Sequence, residues 1–149
     1  MQKSLKTAAE DNRYIPAEGK PKILVNLASG ADRQLMAKIL KSEGYAVLEL
    51  PGAEGAAAAL ERFGPDLIIT EAAAVLREVS GSGRGPGGVM TGQKKALLLA
   101  LVERDDEAAV KEVLVAGAAD IIYKPVSPLL LCRRVRRLLN EKRASGHSL

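Results

Sequence analysis

Cysteine and histidine are almost missing from this chain, at one residue each, Cys132 and His147, and tryptophan is absent. A single cysteine closes no internal disulfide, and that suits a reducing, cytoplasmic compartment. The lone histidine lies close to the C-terminus, so the central chain has no zinc-ligand set and no Ser/His or Cys/His catalytic pair. No apolar run approaches the roughly 18 residues of a membrane span. Met1-Gln2-Lys3 is not followed by the apolar stretch of a signal peptide. No GxxxxGK[ST] run occurs, which excludes a P-loop. No metal, no cofactor and no membrane contact are expected.

What is present suits one globular domain: 149 residues, 47% of them apolar. The net charge of +4 is unevenly spread. Residues 1–21 hold four basic and three acidic side chains, residues 133–149 six and one, and the middle 12 and 14. The basic character therefore belongs to the C-terminal segment, which argues against a basic globular surface and leaves a local patch.

From Lys22 onward, strand and helix signals alternate. Ile23 to Leu27 is a continuous apolar run, as in a strand buried on both faces. A helix is predicted from Asp32 to Ser42, with Leu35, Met36, Ile39 and Leu40 on one side and Gly44 as its stop. Tyr45–Leu50 is the second strand, and an alanine-rich helix runs from Glu54 to Phe63, ended by Gly64-Pro65. Leu67–Thr70 and Leu97–Val102 are the third and fourth strands. Asp105 or Asp106 caps the next helix, which Gly117 closes. Ile121–Tyr123 is the fifth strand, and Ser127-Pro128 supplies N-cap and N1 of the last helix. Between the third and fourth strands, Ala72–Val79 suits only a short helix. The glycines that follow have high unfolded-state entropy and nothing to pack, so a mobile loop is expected over residues 81–94. Residues 1–20 read as a flexible arm, 21–142 as the domain and 143–149 as a flexible tail. The pattern is (βα)₅, a doubly wound five-stranded parallel sheet whose third helix is shortened or disordered.

Several motifs have a plain reading beside a chemical one. Gly83 to Gly88 matches GxGxxG, but it follows a helical stretch and precedes a strand, the reverse of what a dinucleotide site needs. Ser29-Gly30 suits an anion site at a helix start, and suits an ordinary turn and cap better. Arg133, Arg134, Arg136 and Arg137 on the last helix suit an acidic partner or nucleic acid. They better suit a solvated helix end, since no stacking aromatics accompany them. Asp66-Leu67-Ile68-Ile69-Thr70-Glu71 is the most pointed feature: an apolar strand ending on a carboxylate, where open α/β sheets place their sites.

Residues Lys22 to about Lys142 resemble the receiver domain of bacterial response regulators. The most specific stretch is Ala116-Gly117-Ala118-Ala119-Asp120-Ile121-Ile122-Tyr123-Lys124-Pro125, similar to the AGADDYLTKP-like run of receivers. Leu40 to Tyr45 and Gly64 to Ile69 are similar as well. The resemblance implies the flavodoxin-like form of the doubly wound sheet. It also implies that Glu71 holds the phosphoacceptor position, where aspartate is usual, and that Leu27 and Ala28 stand in place of an acidic pair. Val102 replaces the hydroxyl that ends the fourth strand, Ile121 replaces the switch aromatic, and Lys124 with Pro125 is retained.

These departures oppose phosphoryl transfer. Mg²⁺ needs carboxylate oxygens that Leu27 and Ala28 lack, and without the metal the transferring charge is not neutralised. The extra methylene of glutamate displaces the nucleophile by roughly 1.5 Å, where about 1 Å costs about 10²-fold. Val102 cannot hydrogen-bond a phosphoryl oxygen, and Ile121 has no ring. The expected protein is not an enzyme but a pseudo-receiver that binds other proteins or a second copy of itself. Its contact face would comprise the fourth helix, fifth strand and last helix, with Arg104, Lys111, Tyr123, Arg133 and Arg137 exposed. Glu71 and Lys124 are expected to form an ion pair in place of the metal and phosphate. The alternatives are an atypical phosphorylated receiver, a nucleic-acid module using the four arginines, and a small-molecule sensor built on the glycine loop. Because receivers often precede an output domain, the chain is either a stand-alone protein or a fragment of a longer regulator.

Overall fold

The computed structural model describes residues 19–51, 61–71, 84–85, 88–91 and 94–147. The first 18 residues, the start of the second predicted helix and all of the short third one lie outside them.

Five strands form the parallel part of the sheet: β1 (Lys22–Asn26), β2 (Ala46–Leu50), β3 (Leu67–Glu71), β6 (Lys94–Val102) and β7 (Asp120–Tyr123). β1 lies between β2 and β3, β3 pairs with β6, and β6 pairs with β7, all in parallel. Their order, β2-β1-β3-β6-β7, is the doubly wound order with a reversal beside β1. Three helices are described in full: α1 (Gly30–Ser42), α2 (Glu107–Val115) and α3 (Pro128–His147). Glu61 to Phe63 are helical too.

Alternation along the strands sorts the core onto two faces. Ile23, Val25, Leu67, Ile69, Leu99 and Leu101 point to one side and meet Met36 and Leu40 of α1 and Leu131, Val135 and Leu138 of α3. Leu24, Ile68, Leu98, Ala100 and Val102 point to the other and meet Val113 of α2. This two-sided burial is why these strands are apolar throughout.

Helix ends follow local chemistry. Ser29 Oγ accepts from Asp32 N–H, Asp106 Oδ1 from Ala109 N–H and Ser127 Oγ from Leu130 N–H, each relieving a first-turn donor. Gly44 and Gly117 follow α1 and α2 at φ +99° and +113°, a region closed to most side chains. Ser29-Gly30 therefore has the turn-and-cap role.

Where a mobile loop is expected over residues 81–94, the described residues of β4 (Arg84–Gly85) and β5 (Gly88–Thr91) are strands, and β6 begins at Lys94. β5 runs antiparallel to the first part of β6, with Gly88 opposite Leu97 and Thr91 opposite Lys94, and β4 pairs onto β5. A ladder needs only backbone donors and acceptors, which glycine retains, so a count of missing side chains misjudged this segment. Of the GxGxxG match, the described residues Arg84, Gly85 and Gly88 lie in paired antiparallel strands. At the C-terminal end, where a flexible tail is expected over residues 143–149, α3 extends to His147.

Candidate functional site

At the C-terminal edge of the sheet, β3 ends on Glu71, β6 runs into Glu103, and β7 is followed by Lys124. Register sets this grouping, since Glu71 lies opposite Leu101 and Val102 opposite Tyr123. The Lys124 backbone N–H donates to the Val102 carbonyl at 2.9 Å, so the lysine leaves the sheet beside the end of β6.

Lys124 Nζ donates to Glu71 Oε2 at 2.9 Å, and the expected ion pair is formed. Both side chains are partly buried, at 26% and 32% exposure. A second carboxylate, Glu103 Oε2, lies 3.3 Å from the same ammonium and is 71% exposed. Burial alone would lower the Lys124 pKa. The hydrogen bond and charge of Glu71, joined by those of Glu103, outweigh it and raise the pKa above the ordinary lysine value. Sequence reading overlooked Glu103. Its signal was simple, a carboxylate immediately after the strand end at Val102.

The β1 side of the same edge carries no charge of this kind. Leu27 is 2% exposed and belongs to the core, while Ala28 is exposed. The Leu27 carbonyl accepts from Arg33 Nη1 at 2.9 Å, and Arg33 Nε also lies 3.5 Å from Glu49. Val102 is buried at the end of β6, and Ile121 is half-buried on β7. Pro125 follows Lys124 through a cis peptide bond. Among the described residues no group of three His, Cys, Asp or Glu is placed to hold a metal ion.

The candidate contact residues surround β7, which pairs only with β6 among the described strands. Arg104, Lys111, Arg133 and Arg137 are exposed, and Tyr123 is 46% exposed at the end of β7. The arginines of α3 are largely committed within the molecule. Arg134 donates to Asp120 Oδ2 at 3.0 Å and to the Ile121 carbonyl at 2.9 Å. Arg137 donates to Asp120 and approaches Glu141 at 3.7 Å, and Arg136 reaches Glu43 at 3.3 Å. Burial, with the charge of Glu43, raises the Cys132 thiol pKa and makes it a poor nucleophile. No helix among the described residues is long and apolar enough to cross a membrane.

No family model matches the sequence, and no curated protein matches it either. Solved structures do. The signal receiver domain of a protein assigned as a Luxo repressor from Vibrio parahaemolyticus superimposes with a TM-score of 0.70 at 18% identity, over 85% of this chain and 95% of that one. A CheY-like response regulator receiver domain protein from Methanospirillum hungatei gives 0.68 at 20% identity, over 86% and 100%. The signal receiver domain of a signal transduction histidine kinase from Syntrophus aciditrophicus gives 0.63 at 25% identity, over 86% and 92%. The fold is thus that of receiver domains, a five-stranded parallel sheet with flanking helices.

Proposed function

We propose that this chain is a pseudo-receiver, a non-phosphorylatable member of two-component signalling that acts by binding protein partners and catalyses no reaction. The observation that carries the reading is the state of Lys124. Its ammonium is held at 2.9 Å by Glu71 and at 3.3 Å by Glu103, and the positions of the usual acidic pair are a core leucine and an alanine. The likeness to solved receiver domains supports the setting in signalling. Leu27 and Ala28 offer no side-chain oxygen to Mg²⁺, so the charge of a transferring phosphoryl group would go unmet. The lysine is already neutralised by protein carboxylates, and the edge keeps one conformation where a metal and phosphate would otherwise set it.

Output then rests on the surface around β7, where Tyr123 and Lys111 are exposed. That surface takes a protein partner or a second copy of the chain. Binding of nucleic acid through α3 is the weaker reading, because Arg134, Arg136 and Arg137 already have carboxylate partners.

Addition of Mg²⁺ and beryllofluoride to the isotopically labelled chain tests this. The amide signals of Leu27, Glu71 and Lys124 should stay in place. Saturable movement of those signals would restore the atypical phosphorylated receiver. For the contact surface, Tyr123→Ala and Lys111→Glu should abolish association with a bound protein without lowering thermal stability. Unchanged association would remove this face from the proposal.

A further inference from the structure

Beside the ion pair lies a cavity of about 350 Å³. It opens between α1 and the start of α3, on the opposite side of the sheet from α2. The volume lies within the range of about 300–1,000 Å³ common to small-molecule sites. Its floor is apolar, formed by Met36, Leu101 and Leu131, all buried. Leu35 stands at the mouth, 55% exposed, an apolar side chain in water that a ligand would cover.

The charged residues of the wall select the ligand. Asp32, Glu71 and Glu103 contribute three carboxylates and Lys124 a single ammonium. Lys124 is committed to Glu71 and Glu103, so the wall keeps a net charge of −2. An anionic ligand would meet repulsion there and no free cation among the described residues. A bare metal ion lacks a converging set of ligands among the described residues. The charge and the apolar floor are satisfied together by an organic cation.

We propose that this cavity binds a small amphiphilic amine, with its apolar body against Leu35, Met36 and Leu131 and its ammonium group at the Glu103 and Asp32 carboxylates. Glu103, being mostly exposed, is free to turn from Lys124 toward the ligand at little cost. The site borders the contact surface around β7, since Glu103 precedes Arg104 and Lys124 follows Tyr123.

Three probes with the same phenyl body test the proposal on the full chain: 2-phenylethylamine, 2-phenylethanol and 3-phenylpropionate. The amine should move the amide signals of Leu35, Ile39 and Lys124 saturably, the alcohol more weakly, and the carboxylate not at all. Asp32→Asn with Glu103→Gln should weaken amine binding about tenfold, with an unchanged far-ultraviolet circular dichroism spectrum. On the unaltered chain, raising salt from about 20 mM to about 500 mM should weaken the amine and spare the alcohol, since screening acts on the charge alone. The proposal is overturned if the carboxylate or alcohol binds as tightly as the amine, if no probe moves these signals, or if amine binding ignores salt. If the double variant does not fold, the salt series decides alone.

Discussion

The two halves of one sheet edge differ sharply. On the β1 side Leu27 is in the core, and its carbonyl accepts from Arg33. On the β3, β6 and β7 side it is charged, with the Glu71 and Glu103 carboxylates 2.9 and 3.3 Å from the shared Lys124 ammonium. The halves are neighbours, since β1 pairs directly with β3. A lysine left alone beside this half-buried edge would be costly, so retaining it requires retaining a carboxylate. Leu27 and Ala28 carry no side-chain charge and need no such partner, so the charge at this edge is the charge that is paired inside the molecule.

The largest way to break this contrast is Leu27→Asp, which places a carboxylate at a core position only 2% exposed. A loss of about 3 kcal/mol or more is expected in denaturant melts. A neutral result would mean the β1 side tolerates charge after all. Next, Lys124→Met removes the cation and leaves two carboxylates facing each other, for a loss of about 1–3 kcal/mol. Glu71→Gln should cost about 1 kcal/mol and Glu103→Gln under about 0.5, because Glu103 is far more exposed. Equal costs for the two glutamates would show that the lysine is shared evenly, contrary to the distances. The smallest effect is in pH. The folded-state pKa of Lys124 is raised, so its contribution is complete below the ordinary value of 10.5 and is lost as pH rises through the higher folded value. The difference in melting temperature between the unaltered chain and Lys124→Met should therefore be constant near neutrality and shrink above about pH 10.5. A difference that grows in alkali would reverse the assignment.

Much of the fold was legible because its determinants are local. Ser29, Asp106 and Ser127 cap helices through bonds three residues away, Gly44 and Gly117 stop helices by their backbone freedom, and the buried strands are short apolar runs. The Glu71–Lys124 pair was legible for another reason: the topology brings the ends of β3 and β7 to either side of β6 at one sheet edge. What escaped is non-local. The commitment of Arg134 and Arg137 to Asp120 spans 14 and 17 residues, so the α3 arginines looked like one free basic patch. The role of Glu103 depends on the direction in which Lys124 leaves β7. The β4–β5 hairpin depends on an open ladder along β6, which no property of the glycines announces.

That ladder has a consequence for self-association. β6 is nine residues long, but β7 reaches only from Leu99 onward. Its first residues would otherwise present a row of bare amides and carbonyls, an invitation to a strand from another molecule. β5 occupies that row, and β4, which closes the hairpin, is only two residues long. Among the described strands the sheet therefore ends here on a two-residue edge, which offers little backbone for a foreign strand to grow upon.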